Sequence, residues 1–85
     1  MLVPVQFDMG EVIFEITKPF IPDKATGNLV ESTQWMVFMH KGTVSWFSGG
    51  LLLDTASKKT ALFPSTDAAL KAGVTFAKQC GLQEV

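Results

Sequence analysis

His40 is the one histidine and Cys80 the one cysteine in this 85-residue chain. An imidazole is the side chain best suited to proton transfer near neutral pH. With a hydroxyl nucleophile and an orienting carboxylate it would form a hydrolytic trio. Ser45 or Ser48, a short turn beyond His40, and Asp54 are the residues that could complete one. No motif frames them, and a lone histidine is more often a half-buried polar residue. Cys80 lies on the apolar stripe of a predicted helix, where a free thiol behaves as a small hydrophobe, so it is expected in the core. Glu11 and Glu15 share one face of a predicted strand and could act as paired carboxylates, although acidic residues there usually serve solvation. There is no Cys/His cluster for a metal. Gly49-Gly50 lacks the surroundings of a phosphate loop. The chemistry therefore points to no catalytic residue, no metal and no cofactor.

The elements that would position these residues follow from periodicity. Leu2 to Phe7 alternates, and Pro4 suggests an edge strand or a strand end because proline cannot donate to a ladder. Glu11 to Thr17 is a second strand, with Val12, Phe14 and Ile16 on one face and Ile13, Glu15 and Thr17 on the other. Lys18 to Ser32 reads as a long irregular loop, broken by Pro19 and Pro22 and rich in turn residues, with Phe20 and Ile21 tucked onto the body. Thr33 to His40 is a strand, Lys41-Gly42 a tight turn, and Thr43 to Ser48 its hairpin partner. Lys59 to Phe63 is a short last strand. Ser65 or Thr66 then caps a helix that Gly81 ends. Its stripe is Ala69, Leu70, Gly73, Val74, Phe76, Ala77 and Cys80. Gly73, at the centre of that stripe, implies close contact with the sheet. The expected fold is α+β: a four- to five-stranded mainly antiparallel meander with one C-terminal helix packed on one face. The chain reads as a single domain, residues 1–85, with no internal repeat.

Composition narrows the function classes. Apolar residues make up 47 % of the chain and charged residues 18 %, with a net charge of −1. The charged share is below the usual ~25 %, which leans toward association. All seven cationic side chains are lysines. Nucleic-acid binders normally show a basic patch and arginine forks, so nucleic acid is an unfavoured partner. One cysteine excludes an internal disulfide. The N-terminus carries no signal-peptide pattern and no run approaches a membrane span. A cytoplasmic protein is the expectation.

Two resemblances can be drawn. The passage Phe63-Pro64-Ser65-Thr66-Asp67-Ala68-Ala69-Leu70-Lys71-Ala72-Gly73 resembles the strand-to-helix passage of small orphan bacterial proteins of the phage and integron gene-cassette type. It implies a stand-alone accessory protein without specifying an activity. The order of sheet then C-terminal helix is similar, in architecture alone, to the single-strand-binding transcription coactivator fold. For that alternative, Lys41, Lys58 and Lys59 would gather beside sheet aromatics to hold a single strand.

The leading expectation comes from a shortage of cover. Both faces of the 35–47 region carry large apolar groups, and one helix can hide one face. The chain is therefore expected to be a non-catalytic interaction module, most simply a homodimer, with a host protein as a further partner. The contact would involve Trp35, Val37, Phe38, Val44, Trp46 and Phe47, since aromatic residues are enriched at interface cores. A third expectation is a small apolar-ligand pocket between sheet and helix, gated by the Lys18–Ser32 loop, with His40 and Thr43 as its polar groups.

Overall fold

The computed structural model describes residues 1–85. Leu2–Phe7 forms β1 and Gly10–Thr17 forms β2, paired antiparallel from Leu2 opposite Glu15 to Phe7 opposite Gly10. Phe20–Pro22 (β3) and Leu29–Glu31 (β4) pair with each other. Met36–His40 (β5) pairs with β2, and Gly50–Leu51 (β6) pairs with β5. The result is an antiparallel sheet of order β1-β2-β5-β6, a separate two-stranded sheet, and the helix α1 at Thr66–Gln79. The α+β architecture with one C-terminal helix is as the periodicity indicates, and Pro4 does lie on an edge strand.

Alternation divides the main sheet cleanly. Val12, Phe14 and Ile16 of β2 and Val37 and Met39 of β5 are buried on the helix side of the sheet, and Phe7 from β1 joins the same core. The helix supplies its smallest residues to this contact: Ala69, Gly73 and Ala77 are the buried ones. Small side chains let the helix backbone approach the sheet, and the larger Leu70, Val74 and Phe76 pack around that contact.

Both helix ends match their sequence signals. The Ser65 side chain accepts a hydrogen bond from the Ala68 amide at 3.1 Å, satisfying one of the free donors of the first turn. At the other end the Gly81 amide donates to Lys78 O and the Leu82 amide to Ala77 O, with Gly81 at φ +110°. This is the Schellman arrangement, and it turns Leu82 into the core at 1 % exposure. Cys80 is exposed, which corrects its expected burial. The helix ends at Gln79, and Leu82 occupies the core position that the extended stripe would have given to the thiol. The tail then runs beside β1: Asp8 and Gln83 exchange hydrogen bonds, and Phe7 bridges Glu84.

Two stretches depart from their expected form. Residues 43–48 are turns, not a hairpin strand. The Phe47 amide donates to Val44 O at 3.3 Å, a three-residue step that sends both side chains inward and leaves Trp46 49 % exposed. The partner of β5 is instead β6, beyond the two glycines. Lys59–Phe63 forms only single bridges, Thr60 to Leu53 and Phe63 to Trp35.

The second departure is the Lys18–Ser32 loop, which is a hairpin. β3 and β4 pack against no other strand and not against the helix. Phe20 (65 %) and Leu29 (67 %) are exposed, as are Ile21 and Val30. Phe20 and Ile21 therefore do not tuck onto the body: Pro19 redirects the chain, and the hairpin stands off the end of β2 and β5. The molecule is 47 Å along its longest axis against 25 and 19 Å across.

Two turns have the same wiring. In the β3–β4 loop the Thr26 amide and hydroxyl both donate to Asp23 Oδ2, the Gly27 amide to Asp23 O, and the Asn28 amide to the Thr26 hydroxyl. In the 54–59 turn the Ser57 amide and hydroxyl donate to Asp54 Oδ2, the Lys58 amide to Asp54 O, and the Lys59 amide to the Ser57 hydroxyl. Gly27 (φ +75°) and Lys58 (φ +62°) hold the same left-handed position. The likeness is faint in the sequence because only Asp, Ala and a hydroxyl residue recur in register.

Candidate functional site

The sheet face turned away from α1 is built by the residues that alternate with the core. Register aligns Leu2, Glu15, Phe38 and Leu51 in one row across the four strands. Pro4, Ile13 and His40 form the next row, and Thr17 and Met36 a third. No helix or second layer covers them within the chain. Leu2 is 63 % exposed, Phe38 38 % and Leu51 36 %, while Ile13 and Met36 are partly exposed.

One polar pair sits inside this apolar field. His40 Nε2 lies 2.8 Å from Glu15 Oε1, both side chains being about two-fifths exposed. The Phe38 and His40 rings, two residues apart on one strand, stand 4.9 Å between centroids. The Glu15–His40 contact crosses the diagonal between neighbouring strands, within reach of long side chains. It orients the imidazole beside Phe38. No hydroxyl or thiol hydrogen-bonds to that ring, and the carboxylate of Asp54 is held by Ser57. The trio of His40, Ser45 or Ser48, and Asp54 is therefore not assembled. Glu11 and Glu15 share this face as expected, but Glu15 is engaged by His40. No three of the His, Cys, Asp and Glu side chains group to hold a metal ion.

The expected contact residues divide into three groups. Phe38 and Trp46 are exposed. Trp35 is half-buried, with the Lys18 ammonium 4.8 Å above its ring. Val37, Val44 and Phe47 are buried inside the chain, so they support the surface from beneath and offer none themselves. Val37 faces the helix because its strand alternates, and Val44 and Phe47 are turned in by the three-residue step. Leu2, Ile13 and Leu51 complete the outer face. They escape a local reading because only strand pairing brings them beside Phe38.

The three lysines do not gather. Lys41 follows β5 directly, whereas Lys58 and Lys59 lie in the turn beyond Leu53. β6 runs antiparallel to β5, so that turn lies off the opposite end of the strand pair.

A groove of about 760 Å³ runs between the Leu51–Leu53 segment and α1. Leu51, Leu52, Leu53, Ala68, Ala72 and Phe76 supply apolar lining, Leu51 at the sheet edge bordering both the groove and the outer face, with Lys58 and Lys71 among the polar groups. Neither lysine is in an ion pair. This groove is not gated by the Lys18–Ser32 segment, and His40 and Thr43 do not line it. Thr43 is instead bound to Glu11, accepting from the Glu11 amide through its hydroxyl at 2.6 Å.

No protein-family model, curated protein or solved structure matches the chain. No helix is long and apolar enough to cross a membrane.

Proposed function

We propose that this chain is a non-catalytic interaction module that self-associates through the outer face of its sheet. The observation that carries this reading is the row Leu2, Phe38 and Leu51, exposed across the face opposite the helix. A clustered apolar face on a small chain favours a partner. The Glu15–His40 pair beside Phe38 gives that face a polar feature that fixes register, since a partner must leave it hydrogen-bonded or solvated. An accessory role, including contact with a host protein, fits such a module. Size-exclusion chromatography with light scattering tests the reading. Wild type should run as a dimer and Phe38→Ser should shift toward monomer. Identical monomeric behaviour of both would overturn it.

A second reading rests on the groove beside α1. Its volume lies within the usual 300–1,000 Å³ of small-ligand sites, and its apolar lining with two unpaired lysines suits an apolar molecule with an acidic head. Calorimetric titration with decanoate tests it: binding that weakens in Lys71→Gln supports it, and no heat at any concentration below micelle formation removes it.

A further inference from the structure

We propose that the β3–β4 hairpin is an arm that covers the outer sheet face of a second copy and leaves its own outer face to the partner's arm. This inference rests on the self-association reading above and specifies what makes the contact.

The hairpin is three residues on each side and packs against no other element of its chain. A lone two-stranded hairpin is marginal in water at best. This one also places Phe20, Pro22 and Leu29 together on one side, since Pro22 pairs with Leu29 and Phe20 stands two residues earlier, with Glu31 opposite Phe20 at the base of the arm. Its turn is firmly built by the Asp23–Thr26 bonds, so the arm is shaped but unsupported. The outer sheet face has the reciprocal lack: a shaped apolar surface without a layer on it.

Area favours a contact that includes the arm over one made by the two faces alone. With ~200 Å² for a fully exposed large apolar side chain, the exposures of Leu2, Phe38 and Leu51 amount to ~270 Å² per copy. Two faces pressed together would remove ~550 Å² from these three residues, and Pro4, Ile13 and Met36 on the same face add to it. An interface about 60 % apolar would then total ~900 Å² from those three residues and, with the rest of the face, come only to about the ~1,200 Å² at which stable interfaces begin. Phe20 and Leu29 add nearly the area of those three residues again, bringing a reciprocal pair of arm and row to ~1,800 Å², within the standard range. Two arms on two faces also close the assembly, because a two-fold axis makes each contact the copy of the other.

The test uses an arm variant, Phe20→Ser with Leu29→Ser, and a face variant, Phe38→Ser, none of these positions being in the core. Thermal denaturation confirms that each folds. Native mass spectrometry and sedimentation should show wild type as a dimer and each variant alone weakened at least tenfold. An equimolar mixture of the two variants should recover a heterodimer, because one intact arm then meets one intact face. An arm variant that dimerises like wild type while Phe38→Ser does not would overturn the arm and leave the self-association reading standing. A monomeric wild type would overturn both. A measurement without those substitutions adds a check. A spin label at Lys24→Cys, in a Cys80→Ser background, should broaden the Phe38 and Leu2 amide signals of an isotope-labelled partner copy. Broadening absent at dimer-forming concentrations would contradict the arm.

Discussion

Gly73 and Phe14 meet so closely that a Cβ on the glycine would lie 2.8 Å from the Phe14 ring. Val37 would be 3.1 Å from the same atom. The helix therefore rests on the sheet through backbone at this point. Gly73→Ala should destabilise the protein by ~1–2 kcal/mol. The substitution gains about 1 kcal/mol of helix propensity but loses ~2–3 kcal/mol to overpacking against a fully buried ring. Urea unfolding measures it, and a midpoint raised above wild type would show that the contact is looser than described.

The matched turns call for opposite substitutions. Gly27 has open space where a Cβ would stand, so Gly27→Ala tests backbone conformation alone and should lower stability by about 1 kcal/mol. Lys58 already carries that strain, and Lys58→Gly should raise stability by ~0.5 kcal/mol, the relief being offset in part by greater freedom of the unfolded chain. Thermal denaturation of both variants checks the pair. Shifts of the same sign would contradict the shared geometry.

Asp54 should titrate below the ordinary aspartate value of 3.8, because the Ser57 hydroxyl and amide both hold its carboxylate. A folded value below the unfolded one stabilises the turn above the unfolded pKa, and that contribution is lost as pH falls through the folded one. Carboxyl-carbon NMR titration should give a lowered midpoint that returns toward 3.8 in Ser57→Ala. An unchanged midpoint in that variant would remove the serine as its cause.

The helix was legible in the sequence because its signals are local: Ser65 caps it, Gly81 ends it, and the small residues recur at a spacing of four. β1 and β2 were legible by alternation, and Pro4 was compatible with the edge position that β1 takes, though equally with a strand end. Val44 to Phe47 misled because two apolar residues three apart, next to a tryptophan, satisfy an alternating pattern almost as well as a turn. The hairpin was hidden by Pro19 and Pro22. Its signal was nevertheless present, since Phe20-Ile21 and Leu29-Val30 flank a turn with glycine at the left-handed position. Alternation sets Phe38 and Val37 on opposite faces, but which of the two faces the helix covers is decided by packing and not by local pattern. Leu2 and Leu51 could not be placed beside Phe38, because register across four strands is a long-range property.

Sedimentation equilibrium of the unmodified protein at micromolar concentration measures the central claim most directly. The uncovered sheet face and the unsupported arm predict a particle of twice the 9.3 kDa chain mass, dissociating on dilution. A mass of one chain across the whole range, with Phe20, Leu29 and Phe38 left open to water, would contradict it.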